Sequence, residues 1–126
     1  MEVIRELYIV LEDKPDVLGE ILTLLRGWSV NLEAFSVNED TARFLVEDTE
    51  RVAKLLEKNK YQVEVREALR IEIENEPGAL AFVASKLGSM GIKIECCYGT
   101  IAAGQGRAAI IMDVSDLKGA ASLFRA

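Results

Sequence analysis

The chain repeats itself at an interval of 62 residues. The segment "LYIVLEDKPDVLGEILTLLRGWSVNLEAFSV", from Leu7, aligns with "LRIEIENEPGALAFVASKLGSMGIKIECCYG", from Leu69, and places Pro15 opposite Pro77 (77 − 15 = 62). Self-similarity at a fixed interval marks a repeated structural unit. We therefore predict two copies of one small domain, at residues 1–66 and 67–126. The matched pairs include Leu7/Leu69, Ile9/Ile71, Leu11/Ile73, Leu18/Leu80, Ile21/Val83, Leu25/Leu87, Val30/Ile92, Leu32/Ile94 and Glu33/Glu95.

Each copy opens with a strand pattern and continues with a helix pattern. Leu69, Ile71 and Ile73 alternate with charged residues, which is typical of a sheet with one buried and one polar face. A helix with apolar residues on one side can cover the buried face. The apolar residues at helical spacing are Leu18, Ile21, Leu22 and Leu25 in the first copy, and Leu80, Val83, Ala84 and Leu87 in the second.

The rest of each copy reads as a β-hairpin followed by a second helix. Two short apolar runs flank a polar turn at residues 38–40 and a glycine-rich turn at 102–106. A further strand at 61–65 completes the first copy, and the second copy has none. The pattern predicts an α+β fold. It consists of two tandem ferredoxin-like βαββαβ units, with antiparallel sheets and helices on one face, the second unit lacking a visible final strand.

Composition excludes several classes of function. The chain has 126 residues, 50% of them hydrophobic, and a formal net charge of −6. Binding to nucleic acid or to an anionic membrane draws on clustered Lys and Arg, so neither partner is expected. No signal peptide and no apolar run of about 20 residues is visible, which predicts a cytoplasmic protein.

The sequence offers little for metal, cofactor or nucleophilic chemistry. It contains no histidine, and Cys96 and Cys97 are adjacent, so we expect reduced thiols and no metal site or cofactor. The glycines of "GTIAAGQG" link two strands, whereas a phosphate-binding loop leads from a strand into a helix. A small enzyme with a carboxylate-centred mechanism stays open as an alternative, although no convergent set of acid, base and anion-binding residues supports it.

The stretch "ENEPGALA" at residues 74–81 joins the first strand of the second copy to its helix. Proline is well tolerated where a helix begins, and glycine permits close approach to the backbone. The free amides of a helix N-terminus attract a carboxylate, and Asn75 offers a donor and an acceptor. The same residues also suit an ordinary strand-to-helix turn that binds nothing.

The segment from this turn to "MGIKIE" resembles the ACT domain, a small regulatory module that senses amino acids in biosynthetic enzymes. The resemblance covers the chain as two tandem copies. It implies a small-molecule ligand, an amino acid, held where two ACT units meet. The residues it assigns to the ligand are Asn75, Glu76, Pro77, Gly78, Ala79 and Leu80, with the matching turn Asp13, Lys14, Pro15, Asp16, Val17 and Leu18.

The resemblance also implies that second-strand residues complete a pocket, either Ala34, Phe35 and Ser36 or Cys96, Cys97 and Tyr98. The first copy departs from the pattern, since Asp16 stands where the second copy has Gly78. A negative side chain there would repel a carboxylate. We therefore expect unequal sites, with the second the stronger.

These observations predict a non-catalytic regulatory module of two ACT-like domains that binds an amino acid and forms a homodimer. Any activity it controls would belong to a biosynthetic or catabolic enzyme on another chain. The alternative is a ligand-free module that serves only for dimerisation or for docking on a metabolic enzyme. Fold alone does not decide between them.

Overall fold

The computed structural model describes residues 1–101 and 106–124. It divides into two compact units. The first unit is Arg5–Arg66, and the second unit is Met1–Ile4 together with Glu67–Ala126. In chain order the elements are β1 (Glu2–Val10), α1 (Val17–Gly27), β2 (Ala34–Asn38), β3 (Thr41–Leu45), α2 (Thr49–Lys58), β4 (Val63–Glu74), α3 (Ala79–Ser89), β5 (Ile94–Ile101), β6 (Arg107–Val114) and α4 (Leu117–Leu123).

Strands of the first unit follow the order β2-β3-β1-β4, which is the ferredoxin-like order for a βαββαβ chain. Leu7 pairs with Phe44 in the antiparallel β1–β3 ladder, and the Val10 amide donates to the Gln62 carbonyl at 3.0 Å. One face of these strands packs on α1 and α2 because their apolar residues share that face. The buried core consists of Leu7, Ile9, Leu11, Val17, Ile21, Leu25, Ala42, Phe44, Val46, Val52, Ala53 and Leu56.

In the second unit the order is β1-β4-β6-β5, with only the first residues of β1 taking part. Glu2 Oε1 lies 3.9 Å from Arg70 Nε, beside β4, and Leu69 pairs with Met112 of β6. The start of β1 thus occupies the position of the final strand that the second copy lacks. The core of this unit consists of Leu69, Ile71, Val83, Leu87, Ile92, Ala108, Ile110, Met112, Ala120 and Ala121.

The predicted α+β class, with antiparallel strands and ferredoxin-like connectivity, is confirmed. The predicted boundaries, 1–66 and 67–126, assign Met1–Ile4 to the first copy, whereas the structure includes these residues in the second unit. That the chain consists of two tandem copies of one unit stays a prediction. The predicted glycine-rich turn falls largely on residues 102–105, which lie outside the described residues.

Helical faces differ in detail from the predicted ones. In α1 the buried residues are Val17, Ile21 and Leu25, and Leu22 is exposed. In α3 only Val83 and Leu87 are buried. Leu80 and Ala84 are exposed.

A carboxylate lies buried in the first unit on the strand face opposite that core. Glu6 has no solvent exposure, and its Oε1 lies 3.5 Å from Nε of Arg43. The guanidinium of Arg66 stacks over the Tyr8 ring at 3.6 Å, and that of Arg43 lies 5.0 Å from the same ring. Burial of a charge is costly unless it is paired, so Arg43 holds this carboxylate in place.

Candidate functional site

A cavity of about 700 Å³, here the second-turn cavity, lies beside the turn that opens α3. Its walls come from the end of β4, the start of α3, the residue after α4 and the first residue of the chain. All of these belong to the second unit. The lining residues are Met1, Ile71, Glu72, Ile73, Glu74, Glu76, Pro77, Gly78, Ala79, Phe82, Val83 and Phe124.

Gly78 is the N-cap of α3 and has a φ of 88°, in the left-handed region. Glycine adopts this conformation without steric cost, and nothing lies within 4 Å of where a Cβ would stand. No side chain caps the helix. Within the described residues, the amides of Gly78, Leu80 and Ala81 donate to no backbone acceptor. The turn therefore leaves donors free for a negatively charged group.

Acidic residues outnumber basic side chains in the lining of the second-turn cavity. Glu72, Glu74 and Glu76 are part of it, and no Lys or Arg is among its described lining residues. Because side chains alternate along β4, those of Glu72 and Glu74 lie on the face opposite Ile71 and Ile73, where guanidinium nitrogens of Arg107 lie 3.7 Å from Glu72 and 3.6 Å from Glu74. Glu76, in the turn, is therefore the carboxylate placed to attract the ammonium group of a ligand.

Only part of the predicted second turn lines this cavity. Glu76, Pro77, Gly78 and Ala79 do so. Asn75 does not: its backbone amide donates to the Gly106 carbonyl at 2.7 Å, and its side chain lies outside the lining. Leu80 also lies outside, with 44% of its surface exposed. Their predicted contacts with a ligand stay predictions.

The matching turn of the first unit borders a smaller cavity of about 270 Å³, the first-turn cavity. Of the predicted residues, Lys14, Asp16 and Val17 line it. Asp13 and Pro15 are exposed outside the lining, and Leu18 packs against the core. The full lining is Val10, Glu12, Lys14, Asp16, Val17, Glu20, Lys60, Tyr61 and Gln62.

Acidic groups dominate the first-turn cavity around its aromatic residue. Burial, and then the carboxylates of Glu20 and Asp16, raise the pKa of Tyr61. The Lys14 ammonium lies 3.2 Å from the Glu12 carboxylate. One of the two lysines in the lining therefore already has an acidic partner. The carboxylate of Asp16 makes no capping hydrogen bond to α1. The predicted inequality of the two sites, which rests on the Asp16/Gly78 difference, stays a prediction.

Second-strand residues predicted to complete a pocket lie apart from both turn cavities. Ala34 is buried, and Phe35, Ser36, Cys96, Cys97 and Tyr98 line neither cavity. Both cysteines are free. Burial, followed by the neighbouring Cys96, raises the pKa of the Cys97 thiol, which lowers its reactivity at neutral pH.

Several cavity residues were absent from the sequence prediction. Phe124 directly follows α4, and nothing in the sequence shows which residues it meets across the cavity. Nothing in the sequence marks Met1 as a cavity residue, because only the strand order brings it beside β4. A third cavity of about 540 Å³ was also missed. It is lined by Ser29, Val30, Asn31, Glu33, Glu47, Asp48, Arg51 and Val52.

The described residues contain no group of three or more His, Cys, Asp or Glu residues that could hold a metal ion. In the same part of the chain, no helix is long and apolar enough to cross a membrane.

No family model and no curated protein matches the chain. Several solved structures match the chain. Protein BT0572 from Bacteroides thetaiotaomicron superposes with a TM-score of 0.84 at 29% identity, covering 96% of this chain and 85% of that one. The ligand-free regulatory subunit of aspartate kinase from Thermus thermophilus gives 0.64 at 14% identity, with 99% of each chain covered.

The chain has the fold of an aspartate kinase regulatory subunit. This is an ACT-like fold, as the resemblance in the sequence predicted. Escherichia coli aspartokinase III, in its complex with lysine and aspartate, also matches, with a TM-score of 0.54 at 13% identity. The match covers 96% of this chain and 31% of the aspartokinase, so it corresponds to about a third of that enzyme. Identities this low establish a common fold only.

Proposed function

We propose that the protein is a cytoplasmic, non-catalytic regulatory module that binds a free amino acid in the second-turn cavity. The observation that carries this proposal is the presence of uncapped α3 amides at Gly78 and of the acidic residue Glu76 in the lining of one cavity. An amino acid has a carboxylate for the amides and an ammonium for Glu76. The fold shared with aspartate kinase regulatory subunits supports a role in regulation.

The first-turn cavity is a poorer site for the same ligand. It is smaller, and Asp16 replaces the glycine at the helix start. We therefore propose unequal occupancy, with the second unit binding at lower concentration. The regulated activity belongs to a metabolic enzyme on another chain, in keeping with the regulatory role of the Thermus thermophilus subunit.

A thermal-shift screen with the twenty proteinogenic amino acids tests the binding function. A ligand at about 100 times its dissociation constant stabilises the native state by about 2.7 kcal/mol, which raises Tm by several degrees. Ala79→Phe places a ring at the cavity wall and should abolish the shift. Ala81→Phe is the matched control, since Ala81 is exposed on the same helix outside the lining. Absence of a shift with every amino acid would contradict the proposal.

Docking is a second candidate function, and the exposed apolar residues on an edge strand of the first unit favour it. Phe35 and Val37 are 62% and 43% exposed on β2, the terminal strand in the order of that unit. Exposed apolar residues on an edge strand invite pairing with another strand, and we propose a homodimer through this edge. Light scattering should give twice 13.9 kDa for the parent chain and 13.9 kDa for Val37→Lys. A monomeric parent at micromolar concentration would contradict the homodimer.

A further inference from the structure

The buried part of the second-turn cavity, here its apolar interior, is formed by aliphatic residues. Ile71 and Val83 are 6% and 5% exposed and are the buried residues of its described lining. Phe82 and Phe124 line it from α3 and from the end of α4, and Ile73 adds a further aliphatic wall from β4. A ligand held at the turn by its ammonium and carboxylate groups would direct its side chain toward these residues.

Solvation and charge decide which side chain this interior accepts. Burial of apolar side-chain surface is favourable, whereas a buried amide or hydroxyl without a partner is costly. Neither Ile71 nor Val83 can donate or accept a side-chain hydrogen bond. An acidic side chain would also lie close to the acidic residue Glu76, and the described lining includes no Lys or Arg to offset it. An ammonium group placed between Ile71 and Val83 would be buried without a partner, which is costly.

We infer that the site selects α-amino acids with large apolar side chains, namely branched aliphatic, thioether or aromatic ones. It rejects acidic and amide side chains of the same size. This inference rests on the proposed function, since it assumes that the cavity binds an amino acid. A volume of about 700 Å³ lies within the usual range of small-molecule sites and exceeds what alanine or glycine can fill.

Near-isosteric ligands provide the test. Calorimetric titration with L-leucine against L-asparagine, and with L-methionine against L-glutamine, compares side chains of similar size and different polarity. We expect the apolar member of each pair to bind at least tenfold more tightly, the order expected for such a pocket. L-Aspartate should bind more weakly still. L-Leucine should also bind more tightly than 4-methylpentanoate, which lacks the ammonium group.

Two variants link the selectivity to the cavity. Phe124→Ala should weaken L-leucine binding about tenfold and reduce the leucine-to-asparagine ratio. Phe35→Ala is the control, because Phe35 is exposed in the first unit and lines neither turn cavity. If Phe124→Ala does not fold, Phe82→Ser replaces it, since Phe82 is 65% exposed and lines the same cavity.

The possible results distinguish a failure of the side-chain selectivity from a failure of amino-acid binding. Equal affinity for leucine and asparagine, or a preference for aspartate or lysine, would overturn the inference and leave amino-acid binding intact. Loss of selectivity in Phe35→Ala rather than Phe124→Ala would place the side-chain pocket elsewhere and also overturn it. No binding of any amino acid would contradict the proposed function itself.

Discussion

Gly78 has a φ of 88°, whereas Asp16, its counterpart 62 residues earlier (78 − 16 = 62), has a φ of −93° and a ψ of −14°. The two turns thus reach their helices by different backbone routes. The first turn places its left-handed residues at Glu12 and Asp13, with φ of 58° and 53°. Asp16→Gly alone would therefore remove a negative charge without reproducing the second turn.

The left-handed conformation of Gly78 predicts a specific cost of adding a side chain. Gly78→Ala should lower the free energy of unfolding by about 1 kcal/mol, because an L-residue is strained there. The effect is conformational, since a Cβ would meet nothing within 4 Å. Gly88→Ala is the control in the same helix and should raise stability by about 0.5 kcal/mol or more. Chemical denaturation measures both, and equal effects would refute this reading of the turn.

The first-unit helices differ in how their N-termini are capped. The Asp48 carboxylate accepts from the Arg51 amide at 3.3 Å at the start of α2, whereas Asp16 at the start of α1 accepts no such bond. Asp48→Ala should therefore cost about 1 kcal/mol of stability. Asp16→Ala should change stability by less than about 0.5 kcal/mol. A larger loss for Asp16→Ala in urea denaturation would show that Asp16 caps α1.

Burial of Glu6 predicts a strong dependence on its cationic partner. Arg43→Met should lower the free energy of unfolding by about 3 kcal/mol, because it leaves a carboxylate in a buried place without the guanidinium 3.5 Å away. Arg107→Met removes an exposed guanidinium paired with Glu72 and Glu74, and should cost about 0.5 kcal/mol or less. Similar losses in both variants would contradict the assigned role of Arg43.

The start of β1 predicts a dependence of the second unit on the first four residues. A chain lacking Met1–Ile4 should show faster amide hydrogen exchange in residues 67–74, because that part of β4 loses a neighbouring strand. The triple variant Glu2→Thr, Val3→Thr, Ile4→Val keeps a β-prone backbone and should retain protection. Unchanged exchange in the shortened chain would show that β1 does not complete this unit.

Much of the architecture could be predicted because it follows from local pattern. The alternation at Leu69, Ile71 and Ile73 and the helical spacing of Val83 and Leu87 both report burial on one face. The turn at Pro77 and Gly78 was identified by residue type alone. The difference between Asp16 and Gly78 predicts that the two turns are unequal as sites for a carboxylate. The left-handed backbone at Glu12 and Asp13 could not be predicted from that difference.

The composition of the cavity depends on contacts distant in sequence. Met1 and Phe124 lie at opposite ends of the chain, and only the strand order and the packing of α4 bring them to the same walls. Asn75 was predicted from the donor and acceptor of its side chain, whereas in the structure its backbone amide donates to the Gly106 carbonyl and its side chain lies outside the cavity lining. Local chemistry identified the turn, and tertiary packing determined which of its residues line a cavity.

We propose that the second-turn cavity binds an amino acid and that the first turn binds it more weakly or not at all. A titration of the ¹⁵N-labelled chain with L-leucine, followed by amide chemical shifts, tests it residue by residue. We predict that the largest shifts occur at Gly78, Ala79 and Phe82 and near Phe124, at ligand concentrations that leave residues 12–18 unchanged. Shifts confined to residues 12–18, or none at millimolar concentrations of any amino acid, would contradict the account.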